Sequence, residues 1–180
     1  MRRQFWQRQF QLKANEPGSW VLEARRLKRA ADLVFEKVAT DLEKMARGSS
    51  PTELENLECT KAASLLYGLS LENLLKGLII RNEGSRISSW TLRRWPGRGH
   101  NLVSLSKRAG VALDANSCDL LSRLSAYVEW AGRYPIPTAG DRMPLRQRNV
   151  SPEWFPLPLQ AGERKSLDAL YESIEHAAMA

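Results

Sequence analysis

The residues best suited to chemistry occur in three short strings of this sequence. They are Glu72-Asn-Leu-Leu-Lys76, Gly99-His-Asn-Leu102 and Trp130-Ala-Gly-Arg-Tyr-Pro135. A histidine can transfer protons near neutral pH, an arginine can bind a phosphate with two parallel hydrogen bonds, and a carboxylate can orient either group. Brought together, these side chains would suit the binding and processing of a phosphate-containing ligand.

Glu72 and Lys76 are four residues apart with the glutamate first, which is the favourable order for an ion pair on a helix. On a helical wheel they continue the apolar stripe of Leu65 and Leu69. The sequence therefore predicts a partly buried ion pair, because each buried charge needs a partner nearby. Two interpretations remain open: the pair fixes the packing of the helix, or it lines a pocket beside a site.

His100 and Arg133 are the candidate catalytic residues. His100 lies at the start of a predicted helix, where it can cap the helix, bond to the core or act as an acid and base. Arg133 follows Glu129 by one helical turn, so it can form an ion pair at the helix end or, with neighbouring tyrosines, bind a phosphate. The predicted supporting residues are Glu72, Lys76 and Tyr134.

The distribution of charge points to a polyanionic partner. The chain has a formal net charge of +7, and arginines crowd a segment that also holds two tryptophans. Guanidinium groups bind phosphates and bases stack on aromatic rings, so this mixture suits single-stranded nucleic acid. The alternative is that the charges cover a solvated face. The predicted nucleic-acid-binding or partner-binding residues are Trp90, Arg93, Arg94, Trp95 and Arg98.

The apolar residues recur at helical spacing, and period-two alternation is hard to find. We predict one domain over residues 1–180, with an N-terminal arm (1–18), a long Trp/Arg loop (85–99) and an irregular Pro-rich segment (133–161). The fold class is all-α, an antiparallel up-and-down bundle of four main helices plus a short helix. The predicted helices cover 20–47, 50–82, 101–109, 114–131 and 162–178.

Several classes of function are disfavoured. Two cysteines and two histidines are too few for a metal site, and neither a Gly-rich phosphate loop nor a nucleophile elbow is present. We therefore expect no metal and no cofactor. Cys59 and Cys118 make no disulfide framework, which favours the cytoplasm. The most apolar stretch, Leu65 to Ile80, contains Glu72 and Lys76, so we expect no membrane association.

The order of the three strings resembles that of HEPN-like domains. The carrying residues are Leu66-Tyr-Gly-Leu-Ser-Leu-Glu-Asn-Leu-Leu-Lys-Gly-Leu78, Gly99-His-Asn-Leu102 and Trp130-Ala-Gly-Arg-Tyr-Pro135, within about Ser50 to Pro137. HEPN-like domains are helical bundles common in prokaryotic toxin–antitoxin and defence systems. The resemblance implies an RNA-binding or nucleotide-binding homodimer whose partner is an antitoxin or a nucleotidyltransferase-like protein.

Members that cleave RNA without a metal use an Arg followed, after four to six residues, by a His. In this sequence Thr138 and Ala139 stand where the His after Arg133 would be, whereas Arg94 and His100 have the required spacing. The motif at Arg133 is thus incomplete, and endoribonuclease activity is left open. The alternative function is a non-catalytic helical module for dimerisation or protein interaction, with Trp90 and Trp95 as anchors.

Overall fold

In the computed structural model, the described residues are 2–50, 54–84, 87–88, 91–92, 95, 99–134, 146–148, 151–153 and 157–180. Six helices span them: α1 (Arg2–Asn15), α2 (Pro17–Ala46), α3 (Thr60–Glu83), α4 (Leu102–Ala109), α5 (Ala115–Ala126) and α6 (Arg164–Met179). Two antiparallel hairpins pair β1 (Ile87–Ser88) with β2 (Thr91–Leu92) and β3 (Arg146–Arg148) with β4 (Ser151–Glu153). The predicted all-α class is confirmed, since the strands have only two or three residues each.

Helix α3 lies at the centre and contacts α2, α4, α5 and α6. Its neighbours approach closely because small residues line it. A Cβ built on Gly68 would lie 2.6 Å from Val128 Cγ2 and 3.1 Å from the Leu124 carbonyl oxygen. On the opposite side, the Ser70 hydroxyl donates to the Ala24 carbonyl at 2.7 Å. The central position explains why α3 is apolar on two sides.

Residues Glu55–Glu83 form a helical stretch that is long and apolar enough to cross a membrane by length and composition. However, 78% of its most apolar window is buried inside the protein. That burial is expected of a core helix, because a membrane-spanning helix would expose its apolar side chains to lipid.

Several predicted boundaries are wrong. The arm over residues 1–18 is largely a helix, and Pro17 occupies the first turn of α2 instead of a loop. Helix α3 begins at Thr60, not near residue 50, and a 3-10 turn over Glu55–Cys59 precedes it. Residues 51–53, which the sequence places in the first turn of this helix, lie outside the described residues. The two hairpins were not predicted, because strands this short carry no readable alternation.

A charged network joins α2, α3 and α6. Arg164 on α6 donates to Asp32 Oδ1 at 2.7 Å and to the Tyr67 hydroxyl at 2.5 Å, while Tyr67 donates to Asp32 at 2.8 Å. Burial and the bond to Asp32 raise the pKa of Tyr67 well above its usual value, so this hydroxyl stays protonated and can donate. Lys28 lies 2.8 Å from Asp168 Oδ1.

The close approach of α3 and α5 gives the first prediction. Gly68→Ala should destabilise the fold by about 1–3 kcal/mol, because the new methyl group would overlap Val128 and the backbone of Leu124. Gly162→Ala is the matched control, since a Cβ there meets nothing within 4 Å. Urea unfolding followed by circular dichroism measures both. Equal midpoints for the two variants would contradict the close contact.

The network on α6 gives a pH-dependent prediction. Burial opposes ionisation of Asp168, but the bonds from Lys28 and Arg164 outweigh it and lower the pKa of this carboxyl. The ionised carboxylate therefore stabilises the folded state at neutral pH, and this contribution is lost as the pH falls below about 4. Asp168→Asn should lower the urea midpoint at pH 7, and the difference from wild type should shrink at pH 3. The exposed Glu172→Gln is the control, and a difference independent of pH would contradict the assignment.

Candidate functional site

The candidate site is built around a buried carboxylate on α3. Lys76 Nζ lies 2.5 Å from Glu72 Oε1, and His100 Nδ1 lies 2.9 Å from Glu72 Oε2. The side chains of Glu72 and Lys76 are only 8% and 9% exposed, whereas that of His100 is 37% exposed. One carboxylate thus bonds a cation below the surface and an imidazole at the surface. The predicted Glu72–Lys76 pair is present, and the structure adds His100 to it.

The contact with Glu72 defines the chemistry available to His100. A carboxylate accepts hydrogen bonds but cannot donate them, so Nδ1 of the imidazole carries the proton in this pair. In the neutral ring Nε2 is then the basic nitrogen, and it is the nitrogen turned away from Glu72. The arrangement is suited to acid–base chemistry at Nε2.

Two tryptophans pack beside the Glu72–Lys76 pair. Lys76 Nζ lies 5.3 Å from the centroid of the Trp95 ring, within the range of a cation–π interaction. Trp95 in turn packs edge-to-face on Trp20 of α2, with centroids 5.8 Å apart. The Trp20 indole NH donates to the Ala14 carbonyl at 3.1 Å. Lys76 is therefore held between Glu72 and an aromatic face, away from bulk water.

The neighbours of His100 in the string Gly99-His100-Asn101-Leu102 position its imidazole. Gly99 has a φ of +81° and a Cβ there would lie 2.8 Å from Trp95 Cβ, so a larger residue does not fit. The Asn101 side chain caps α4 by accepting from the Ser104 NH at 2.8 Å. Leu102 is fully buried. Of the roles considered for His100, the helix cap is wrong, because Asn101 provides the cap and His100 bonds to Glu72.

Arg133 and Tyr134 lie elsewhere on the protein. The π-helical turn Tyr127–Ala131 ends α5, and a Cβ on the following Gly132 would lie 2.6 Å from Leu65 Cβ. Leu65 precedes Glu72 by seven residues, about 10 Å along α3 at 1.5 Å per residue. Within one protomer, the structure therefore does not bring Arg133 to His100.

Arg133 also lacks the ion pair expected at the helix end. Its Nη2 donates to the Glu129 backbone carbonyl at 2.6 Å, and its guanidinium lies 5.4 Å from the centroid of the Tyr134 ring. Tyr134 is 49% exposed. The two residues form a small exposed cluster at the end of α5, separate from the Glu72 carboxylate.

Most of the predicted nucleic-acid-binding or partner-binding residues lie outside the described residues. Trp90, Arg93, Arg94 and Arg98 are not among the described residues, so the Arg94–His100 spacing has no structural counterpart to report. Trp95 is described, and it packs between Lys76 and Trp20 instead of standing free in solvent. Among the described residues, no group of three or more His, Cys, Asp or Glu side chains is placed to hold a metal ion.

The sequence reasoning missed Trp20 as part of the site. It appeared only as the first residue of a helix, and nothing in its neighbours along the chain indicates Trp95 as a partner. A usable signal was present nearby: Gly77, one turn of α3 beyond Asn73, leaves room for Trp20, because a Cβ there would lie 3.1 Å from Trp20 Cβ. A glycine inside a predicted helix often marks such a close approach.

Comparison with known proteins adds no family assignment. No protein-family model, curated protein or solved structure matches the chain.

The buried pair gives a prediction for stability. Glu72→Gln should destabilise the fold by about 3 kcal/mol, because it leaves the ammonium of Lys76 buried without its counter-ion. Lys76→Met should also destabilise, and the double variant should cost less than the sum of the two single variants. Urea unfolding of the four proteins measures this coupling. The exposed Glu58→Gln controls for the loss of a carboxylate, and strictly additive effects would contradict a coupled pair.

Proposed function

We propose that this chain is a HEPN-like protein that binds RNA or a nucleotide, with the His100 side chain at the binding site. The single observation that supports this most directly is the contact between His100 Nδ1 and the buried carboxylate of Glu72. It leaves a basic ring nitrogen at the surface of a protein with a net charge of +7. In this proposal the helices form the antiparallel up-and-down bundle typical of the family, and the protein works in the cytoplasm.

The same contact suits metal-independent RNA cleavage, which is the catalytic form of the proposal. Nε2 of His100 would take the proton from a 2′-hydroxyl, whose oxygen then attacks the adjacent phosphorus. The bond from phosphorus to the 5′-oxygen breaks, and the proton passes to that leaving oxygen, giving a 2′,3′-cyclic phosphate and a free 5′-hydroxyl. Glu72 would hold the imidazole, and Lys76 would hold Glu72 as its buried counter-ion.

Arg133 is the proposed phosphate-binding residue, with Tyr134 beside it. Arg133 lies near Leu65 of α3, whereas His100 lies at Glu72, about 10 Å further along the same helix. This role therefore requires a homodimer in which Arg133 of one protomer faces His100 of the other. The resemblance to HEPN-like domains is the support for that dimer. It is also the support for a place in a prokaryotic toxin–antitoxin or defence system, with an antitoxin or nucleotidyltransferase-like protein as partner.

The second candidate is a non-catalytic module for dimerisation or protein interaction. The separation of Arg133 from His100 favours it, because an Arg that is bonded to Glu129 and stacked on Tyr134 needs no phosphate to explain its position. In this alternative the Glu72–Lys76 pair and its bond to His100 fix the packing of α3 against the segment before α4.

The two histidines provide a matched test of the catalytic form. His100→Ala should reduce cleavage of a single-stranded RNA, assayed with EDTA present, by at least about 100-fold, because it removes the acid–base group. His176→Ala should leave cleavage unchanged, since this exposed residue lies in the last turn of α6. Gel electrophoresis of end-labelled RNA measures both rates, and circular dichroism checks the fold.

The other outcomes separate the candidates. Equal cleavage by wild type and His100→Ala would show that His100 is not the acid–base group. If the wild type binds RNA with a steep dependence on salt but does not cleave it, the chain is a binding protein. If it neither binds nor cleaves RNA, the interaction module is the better account.

A further inference from the structure

We propose that the groove between α1 and α2 binds single-stranded RNA by base stacking. This inference rests on the proposed function and names the part of the surface that binds the RNA strand. The groove has a volume of about 690 Å³. Its lining includes Phe5, Trp6 and Phe10 from α1, Trp20 and Leu22 from α2, and Asn73 from α3.

The aromatic rings of α1 are presented to solvent. Phe5 is 56% exposed and Trp6 is 64% exposed, and their ring centroids lie 5.4 Å apart at an interplanar angle of 75°. Leaving two large aromatic side chains in water is unfavourable unless a partner covers them. Flat π-faces of this kind accept any nucleobase, which gives binding without strong sequence preference.

Positive charge on α1 favours an anionic occupant. The helix contains four basic residues, Arg2, Arg3, Arg8 and Lys13, and no Asp or Glu. Lys13 lines the same groove as Phe5 and Trp6. The acidic residue in the lining, Glu23, lies 3.3 Å from Arg26 Nη1, so its charge is already compensated. Positive charge beside bare aromatic rings matches the phosphates and bases of one nucleic-acid strand.

The arrangement of these residues distinguishes RNA from a membrane surface. A helix that lies on a membrane separates an apolar face from a basic face. At roughly 100° per residue, Lys13 falls between Phe5 and Trp6 on the helical wheel of α1. The ammonium and the rings therefore share one face, as stacking on alternate bases and phosphates requires.

Two residues of the groove lining, Trp20 and Asn73, lie next to residues of the His100 site. Trp20 lines the groove and packs on Trp95, whose ring carries the ammonium of Lys76. Asn73, also in the lining, directly follows Glu72 on α3. The Trp20–Trp95 contact thus joins the lining of the groove to the aromatic face that carries Lys76.

Two substitutions at one position test stacking against simple apolar contact. Trp6→Leu keeps an apolar side chain but removes the π-face, and Trp6→Phe keeps a π-face. The probe is a fluorescein-labelled 16-nucleotide 2′-O-methyl oligouridylate, which lacks the hydroxyl needed for cleavage, in anisotropy titrations. We expect about 5- to 100-fold weaker binding for Trp6→Leu and nearly wild-type binding for Trp6→Phe. Leu33→Ala, at an equally exposed site on α2, should bind as wild type does.

The outcomes separate this inference from the proposed function. Binding by the wild type with unchanged affinity in Trp6→Leu overturns the groove and leaves RNA binding at His100 intact. Failure of the wild type to bind the probe and any cleavable RNA overturns both. Equal weakening by Trp6→Leu and Trp6→Phe overturns stacking. Wild-type binding to phosphatidylserine vesicles with no binding to the probe assigns the groove to a membrane surface instead.

Discussion

The structure around the site depends on how the two oxygens of the buried Glu72 carboxylate are bonded. A buried charge costs several kcal/mol unless its oxygens are fully bonded, and here each oxygen has one partner. Lys76 is supplied by the next turn of the same helix, so its position follows from helix geometry alone. His100 comes from a segment 28 residues away. The second bond therefore fixes where the chain must return after leaving α3.

That return determines the local sequence before α4. The chain passes close to Trp95, and only a glycine with positive φ fits at position 99. The next residue reaches Glu72, and Asn101 then starts the helix whose first NH donates to the Ser125 hydroxyl at 2.8 Å. These three requirements fall on the successive positions 99, 100 and 101. Together they explain a short motif that would otherwise read as an unremarkable helix start.

The sequence predicted local features well and tertiary contacts poorly. Asn101 and Asp114 were readable as helix starts because a cap depends only on residues three positions ahead, and both side chains accept the expected NH bonds. The Glu72–Lys76 pair was readable for the same reason. The bond from Glu72 to His100, the Trp20–Trp95 contact and the Arg164–Asp32–Tyr67 network join residues that are far apart in the chain. No periodicity encodes such contacts.

The wrong boundary near the N-terminus also has a physical cause. The sequence around Pro17 carries turn signals, but proline is also favoured in the first turn of a helix, and the structure uses it that way in α2. Interpreted as a turn, this segment predicts that residues 1–18 form an arm before the first long helix. As a helix held against α2, the same residues form one wall of a groove whose other wall includes Trp20.

Trp20 consequently links two surfaces that the sequence keeps apart. Its backbone belongs to α2, its indole NH is bonded to the end of α1, and its ring faces Trp95 beside the buried ion pair. A shift of α1 would have to move this ring, and the ring is packed against the aromatic face that carries Lys76. One hydrogen bond and two ring contacts therefore connect the end of α1 to the Glu72–Lys76 pair.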